Sequence, residues 1–98
     1  MTTIGQRFKK IRLAKGISQS EFGESLKMSK SGISAVENDK VFVSVNALCT
    51  LFFNYNVNLN YLVVGEGKMF NPPQYEDVKD EILKEVDEIL KKYGVKNI

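Results

Sequence analysis

Two serines eleven residues apart, Ser18 and Ser29, constrain this chain more than any other feature. Each stands where a helix N-cap is expected. In "SQSEF" the Ser18 hydroxyl can accept from the backbone N–H of Glu21, while Glu21 can reach back to the N–H of Ser18. Ser29 opens a second helix in the same way. The spacing therefore predicts one helix over about 19–26 and another over 29–37, with a turn of about three residues between them. Helices this short are marginal alone in water, so both must be held by packing. The second, within "SLKMSKSGISAVENDK", is serine-rich and a poor helix by propensity.

The same punctuation recurs along the chain. Ile4, Phe8, Ile11 and Leu13 recur at near-helical spacing before the stop at Gly16, predicting a first helix over about 4–15. "SVNALCTLFFNYN" predicts a fourth helix capped by Ser44, with Val45, Leu48, Leu51 and Phe52 as its buried stripe. Asn58 caps a short fifth helix, "LNYLVV", stopped at Gly65. "VFVSV" is too short to establish a strand. With every connection short, the expected fold class is all-α: a compact five-helix domain. "GEGKMFNPPQYED" then interrupts periodicity with Gly65, Gly67, Pro72 and Pro73, dividing a domain over 1–70 from a linker and helix over 71–98.

Composition excludes several function classes. The 98 residues are 43% hydrophobic and 27% charged, which fits a packed domain rather than disorder. A single cysteine, Cys49, forbids an internal disulfide, and the absence of histidine removes both a plausible zinc site and the usual general base. No catalytic set, metal site or cofactor site is expected. Cys49, between Leu48 and Leu51, reads as a buried structural thiol, and Phe52, Phe53, Tyr55 and Tyr61 as core and interface residues. The N-terminus lacks an apolar leader segment, and no apolar run approaches a membrane span of ~18 residues. A cytoplasmic protein with no membrane partner is expected. Charge is uneven: residues 1–70 carry nine Lys/Arg against five Asp/Glu, whereas residues 71–98 carry five against seven. A basic head and an acidic tail suggest different tasks.

Two short helices joined by a tight turn form the helix-turn-helix arrangement, whose demands are specific. A small residue is needed where the helices approach, and Gly23 supplies it. Met28 can plug the turn into the core, and Ile33 and Val36 give the second helix an aliphatic inner face. From Ile4 to Phe70 the chain resembles the lambda-repressor-like, or XRE-type, DNA-binding domain. The resemblance is carried by "IRLAKGISQSEFGESLKMSKSGISAVENDK" and by "LNYLVVGEGKMF", and covers about two thirds of the chain. It implies that the helix over 29–37 enters the major groove of duplex DNA. The family's base-reading places fall on Lys30, Ser31, Ser34 and Ala35. Lys30 suits guanine O6/N7 or a phosphate, the serines donate, accept or merely allow close approach, and Ala35 suits a thymine methyl or is filler. By resemblance Gln19 contacts phosphate, with Ser29, Asn38 and Lys40 as further candidates. The resemblance also pairs Arg12 with Glu37. It departs from the family at Lys27 and Asp39, both at positions often held by glycine, where positive φ is expected.

The tail "YEDVKDEILKEVDEILKKYG" is acidic at its start and basic at its end, matching a helix dipole. Val78, Ile82, Val86, Ile89 and Tyr93 form an apolar stripe, broadened by Leu83 and Leu90. This stripe must pack on a second copy, on its own head domain, or on another protein. The second copy is the reading taken, because a two-fold protein matches a palindromic operator. The expected function is thus a dimeric, sequence-specific DNA-binding regulator, most simply a repressor. The alternatives are an antitoxin whose tail helix binds a toxin, and a protein-interaction adaptor.

Overall fold

The computed structural model describes residues 1–72 and 75–94, the side chains of 75–80 excepted. The described residues form six helices: α1 (Ile4–Ala14), α2 (Gln19–Leu26), α3 (Lys30–Glu37), α4 (Val45–Tyr55), α5 (Leu59–Val64) and α6 (Tyr75–Lys92). Among the described residues there is no strand, only an isolated antiparallel bridge between Val57 and Phe70. None of the described helices is long and apolar enough to cross a membrane.

The core follows the apolar spacing of each short helix. Phe8 and Ile11 of α1, Phe22 and Leu26 of α2, Ile33 and Val36 of α3, Ala47 and Leu51 of α4, and Leu62 of α5 are buried together with Val57. Three rings stitch α1, α2 and α4: Phe8 and Phe22 lie 5.0 Å apart, and Phe22 meets Tyr55 edge-on at 5.6 Å. Such tilted and edge-on aromatic pairs add to the area they bury.

Side chains close the N-terminal ends of the first five helices. Ser18, Ser29 and Ser44 each accept from the backbone N–H three residues on, and Asn58 accepts from Asn60. The reciprocal half of the Ser18 capping box is absent: the Ser18 hydroxyl donates to the Glu21 carboxylate instead. A complete capping box closes α1, where Thr3 Oγ1 accepts from Gln6 N and Thr3 N donates to Gln6 Oε1.

The turn between α2 and α3 is tight. Met28 N donates to Gly23 O at 2.7 Å, and a Cβ on Gly23 would stand 2.5 Å from Met28 O. Glycine is therefore required there by contact with backbone. Lys27, at φ 56°, and Asp39, at φ 59°, both adopt the left-handed conformation expected of them.

The boundary segment is more ordered than its glycines and prolines imply. Asn58 N donates to Met69 O and Asn71 N to Asn56 O, while the side-chain amides of Asn56, Asn58 and Asn71 bond across the same gap. Residues 68–71 are thus pinned beside the α4–α5 junction. Pro73, part of the expected break, lies outside the described residues.

The outward face of α4 departs from expectation. Its core stripe is Ala47, Leu48, Leu51 and Tyr55, whereas Val45 is 75% exposed and Phe52 lies at the surface. Cys49 is likewise exposed. One step of 100° per residue separates the two stripes, so runs of apolar residues such as "VNALCTLFF" can supply either face. Leu13 of α1 is also exposed, for the same reason.

Candidate nucleic-acid interface

α3 presents a polar, slender face to solvent. Ile33 and Val36 point inward and are almost wholly buried. Lys30 and Ser31 are exposed on the opposite face, with Ser34 and Ala35 half-buried beside them. The i, i+1, i+4, i+5 spacing of these four places them on one side of the helix. Ser29 at the cap, Asn38 at the far end and Lys40 just beyond are all exposed.

Hydrogen bonds fix much of this surface in advance. Ser29 Oγ accepts from Gly32 N at 3.0 Å and lies 3.0 Å from Ser31 Oγ. Asn38 Nδ2 donates to Ser34 O at 2.8 Å and to Ser34 Oγ at 3.3 Å. Asn38 therefore caps the end of α3 while orienting the half-buried Ser34 hydroxyl. Both residues serve the helix whatever else they touch.

Behind this face lies a buried ion pair. Arg12 Nε donates to Glu37 Oε2 at 2.6 Å and Arg12 Nη2 to Glu37 Oε1 at 3.2 Å, a bidentate arrangement. The remaining guanidinium nitrogen donates to Ile17 O at 3.0 Å, immediately before the α2 cap. Gln19 Nε2 adds a further bond to Glu37 Oε1 at 3.0 Å. One cluster thus locks α1, the start of α2 and the end of α3 together. Gln19, expected at phosphate, is anchored here through one amide hydrogen, and an amide nitrogen carries two.

Two further polar anchors were not anticipated from the sequence. The Asp39 carboxylate accepts from Gly5 N at 2.8 Å and from the Thr3 hydroxyl, so it caps α1 from the chain that follows α3. A negative charge at a helix N-terminus is favourable, and this contact explains an aspartate in left-handed backbone where glycine would fit more cheaply. Gly5 is required for the approach, since its Cβ would lie 2.4 Å from Val36 O. Arg7 is buried and donates to Leu62 O at 2.9 Å, Val63 O at 3.2 Å and the Thr2 carbonyl. Its charge lies against the C-terminal carbonyls of α5, where a cation is favoured. The "TIGQ" cap of α1 was readable from local sequence; the Asp39 and Arg7 contacts join residues more than thirty apart and were not.

The apolar stripe of α6 is uncovered. Ile82, Leu83, Val86 and Ile89 are 46–56% exposed, Tyr93 is 73% exposed and Leu90 is half-buried. Val78 lies outside the described side chains.

This arrangement of α2, turn and α3, clamped on α1 and backed by α4, defines a helix-turn-helix domain. A helix-turn-helix family profile matches residues 8–62, and the chain belongs to that family, one of DNA-binding rather than catalytic domains. In the solved structures, the P22 c2 repressor protein, in complex with the synthetic operator 9T, superposes with a TM-score of 0.61 at 23% identity, over 67% of this chain and all of that one. Antitoxin PezA of Streptococcus pneumoniae serotype 4 is 35% identical over 85 residues, spanning 84% of this chain. The chain spans 52%, about half, of that relative's length.

Proposed function

We propose that this protein is a sequence-specific regulator that reads duplex DNA as a dimer, acting most simply as a repressor. The observation that carries this reading is the build of α3: a slim outer face of Lys30, Ser31, Ser34 and Ala35 on a helix whose inner face and buried end are rigidly held. A helix enters the ~12 Å major groove only if its groove-facing side chains are small or reach towards bases. Lys30 then donates to a guanine edge, and the serines exchange hydrogen bonds with neighbouring bases. Ser29, Lys40 and the amides of Gln19 and Asn38 lie beside this face, where phosphates flank a groove-bound helix. Residues 1–70 form the reading domain and residues 71–98 the self-association element, with Ile82, Leu83, Val86, Ile89, Leu90 and Tyr93 covered by a second copy. The likeness to a repressor solved on its operator and the membership of the helix-turn-helix family support this assignment.

A second reading has its own support. The tail stripe is apolar, exposed and flanked by acidic residues, and one relative is named an antitoxin. In that reading α6 binds another protein, a toxin, and α3 still reads DNA.

Salt dependence tests the common part. Binding of labelled operator-like duplex by the full chain should weaken steeply and log-linearly as salt rises, as phosphate contacts require. Absence of duplex binding at low salt would count against both readings.

A further inference from the structure

From Val41 to Gly65 the chain carries no charged residue, an uninterrupted span of 25 that includes all of α4 and α5. Much of it is not core. Phe42 is 89% exposed, Val45 75% and Phe53 79%, and Phe52 packs its ring edge-on against Phe53 at 5.1 Å. Cys49, also exposed, lies between them. Val45, Cys49 and Phe53 recur at i, i+4 and i+8, so they form one ridge along the outer side of α4. Loss of charge with enrichment in aromatic residues is the composition of an interface core. Isolated apolar side chains are ordinary on a surface, but a contiguous ridge of this kind is not.

We propose that this ridge is a self-association surface, seated against α4 of a second copy, antiparallel, with the two-fold axis passing near Cys49. Three observations favour a second copy over other occupants. The ridge is self-complementary in size: the axis at Cys49 sets bulky Phe53 of one chain over small Val45 of the other, twice. An isologous contact sets the same surface against itself, residue i on j and j on i, and a face with no charge meets no like charge when it does so. The described part of the chain's own tail helix does not cover the ridge, for Val45 and Phe53 are exposed along with Ile82, Leu83, Val86, Ile89 and Tyr93. One ridge-on-ridge contact falls short of the ~800 Å² per partner of a stable complex. The α4 contact therefore acts together with α6, as one of two separate patches. The proposal deepens the dimeric reading above and rests on it for the presence of a second copy.

Sedimentation velocity over a concentration series, with circular dichroism to verify folding, tests this on the full chain and on three variants: Phe53→Glu, Val45→Lys and Leu83→Glu. Phe53 and Val45 are mostly exposed, so neither change disturbs the core. Both should raise the dimer dissociation constant at least about tenfold. A short-armed bismaleimide should join two wild-type chains through Cys49, and join them poorly in Phe53→Glu. If Leu83→Glu alone dissociates the dimer while the two α4 variants self-associate as wild type and Cys49 is not cross-linked, the α4 surface is refuted and the α6 dimer stands. A wild-type chain that stays monomeric throughout would overturn both.

Discussion

Glu37 receives three hydrogen bonds, two from Arg12 and one from Gln19, and its side chain is 3% exposed. Buried ion pairs contribute little net stability compared with an apolar pair of the same volume, but removing one partner leaves an uncompensated charge. Glu37→Ala should therefore destabilise the domain by about 3–5 kcal/mol, seen as a marked fall in thermal midpoint. An unchanged midpoint would mean that the pair is not buried as described. The same substitution releases Gln19, so the start of α2 should lose its fixed position as well. Arg7 meets the same problem differently: with no carboxylate beside it among the described residues, its charge is spread over carbonyls at the end of α5 and at Thr2. Among the described residues no buried side-chain nitrogen or oxygen lacks a partner, as a well-formed interior requires.

At the scale of elements, the turn between α2 and α3 shows how much backbone strain this motif bears. Lys27 caps α2 in left-handed backbone, at φ 56° and ψ 44°, with an exposed side chain. An L-residue there costs about 1 kcal/mol relative to glycine. Lys27→Gly should accordingly stabilise the domain by roughly 0.5–1 kcal/mol, the greater freedom of glycine in the unfolded chain offsetting part of the gain. Chemical denaturation would register this as a higher midpoint at unchanged slope; a lower midpoint would mean that the lysine side chain makes a contact the turn needs. Asp39 is the instructive contrast, since its carboxylate repays similar strain by capping α1. What was legible in the sequence divides along this line. Caps, stops and the spacing of Ile33 and Val36 are local, and they placed all five head-domain helices within a residue or so. Of the expected α4 stripe Leu48 and Leu51 face the core but Val45 and Phe52 do not, because that helix is apolar on two sides and periodicity alone does not say which side faces inward. The Arg7 and Asp39 anchors depend on the tertiary approach of α1 to α5 and α3, which no local pattern encodes. The Arg12–Glu37 geometry is an equally distant contact, and it was expected only because the family resemblance pointed to it.

For the molecule as a whole, the proposed dimer would bring the poor helix propensity of α3 and the exposed apolar faces of α4 and α6 into one scheme. The head domain holds the thin outer face of α3 rigidly from behind, through Ile33, Val36 and the Arg12–Glu37–Gln19 cluster. With Lys30 the one cation of α3, a single domain should bind weakly, and the proposed second copy would add affinity by reading a second half-site. The central claim is that the exposed face of α3 reads base edges in duplex DNA. In-vitro selection of duplexes by the full chain, run in parallel with a Lys30→Ala variant, tests it directly. The account predicts enrichment of a two-fold symmetric site by the wild type and, in the variant, relaxed preference at one symmetry-related position per half-site, costing about 1–3 kcal/mol of discrimination there. Enrichment of no duplex sequence, or of an identical site with identical preference by Lys30→Ala, would contradict it.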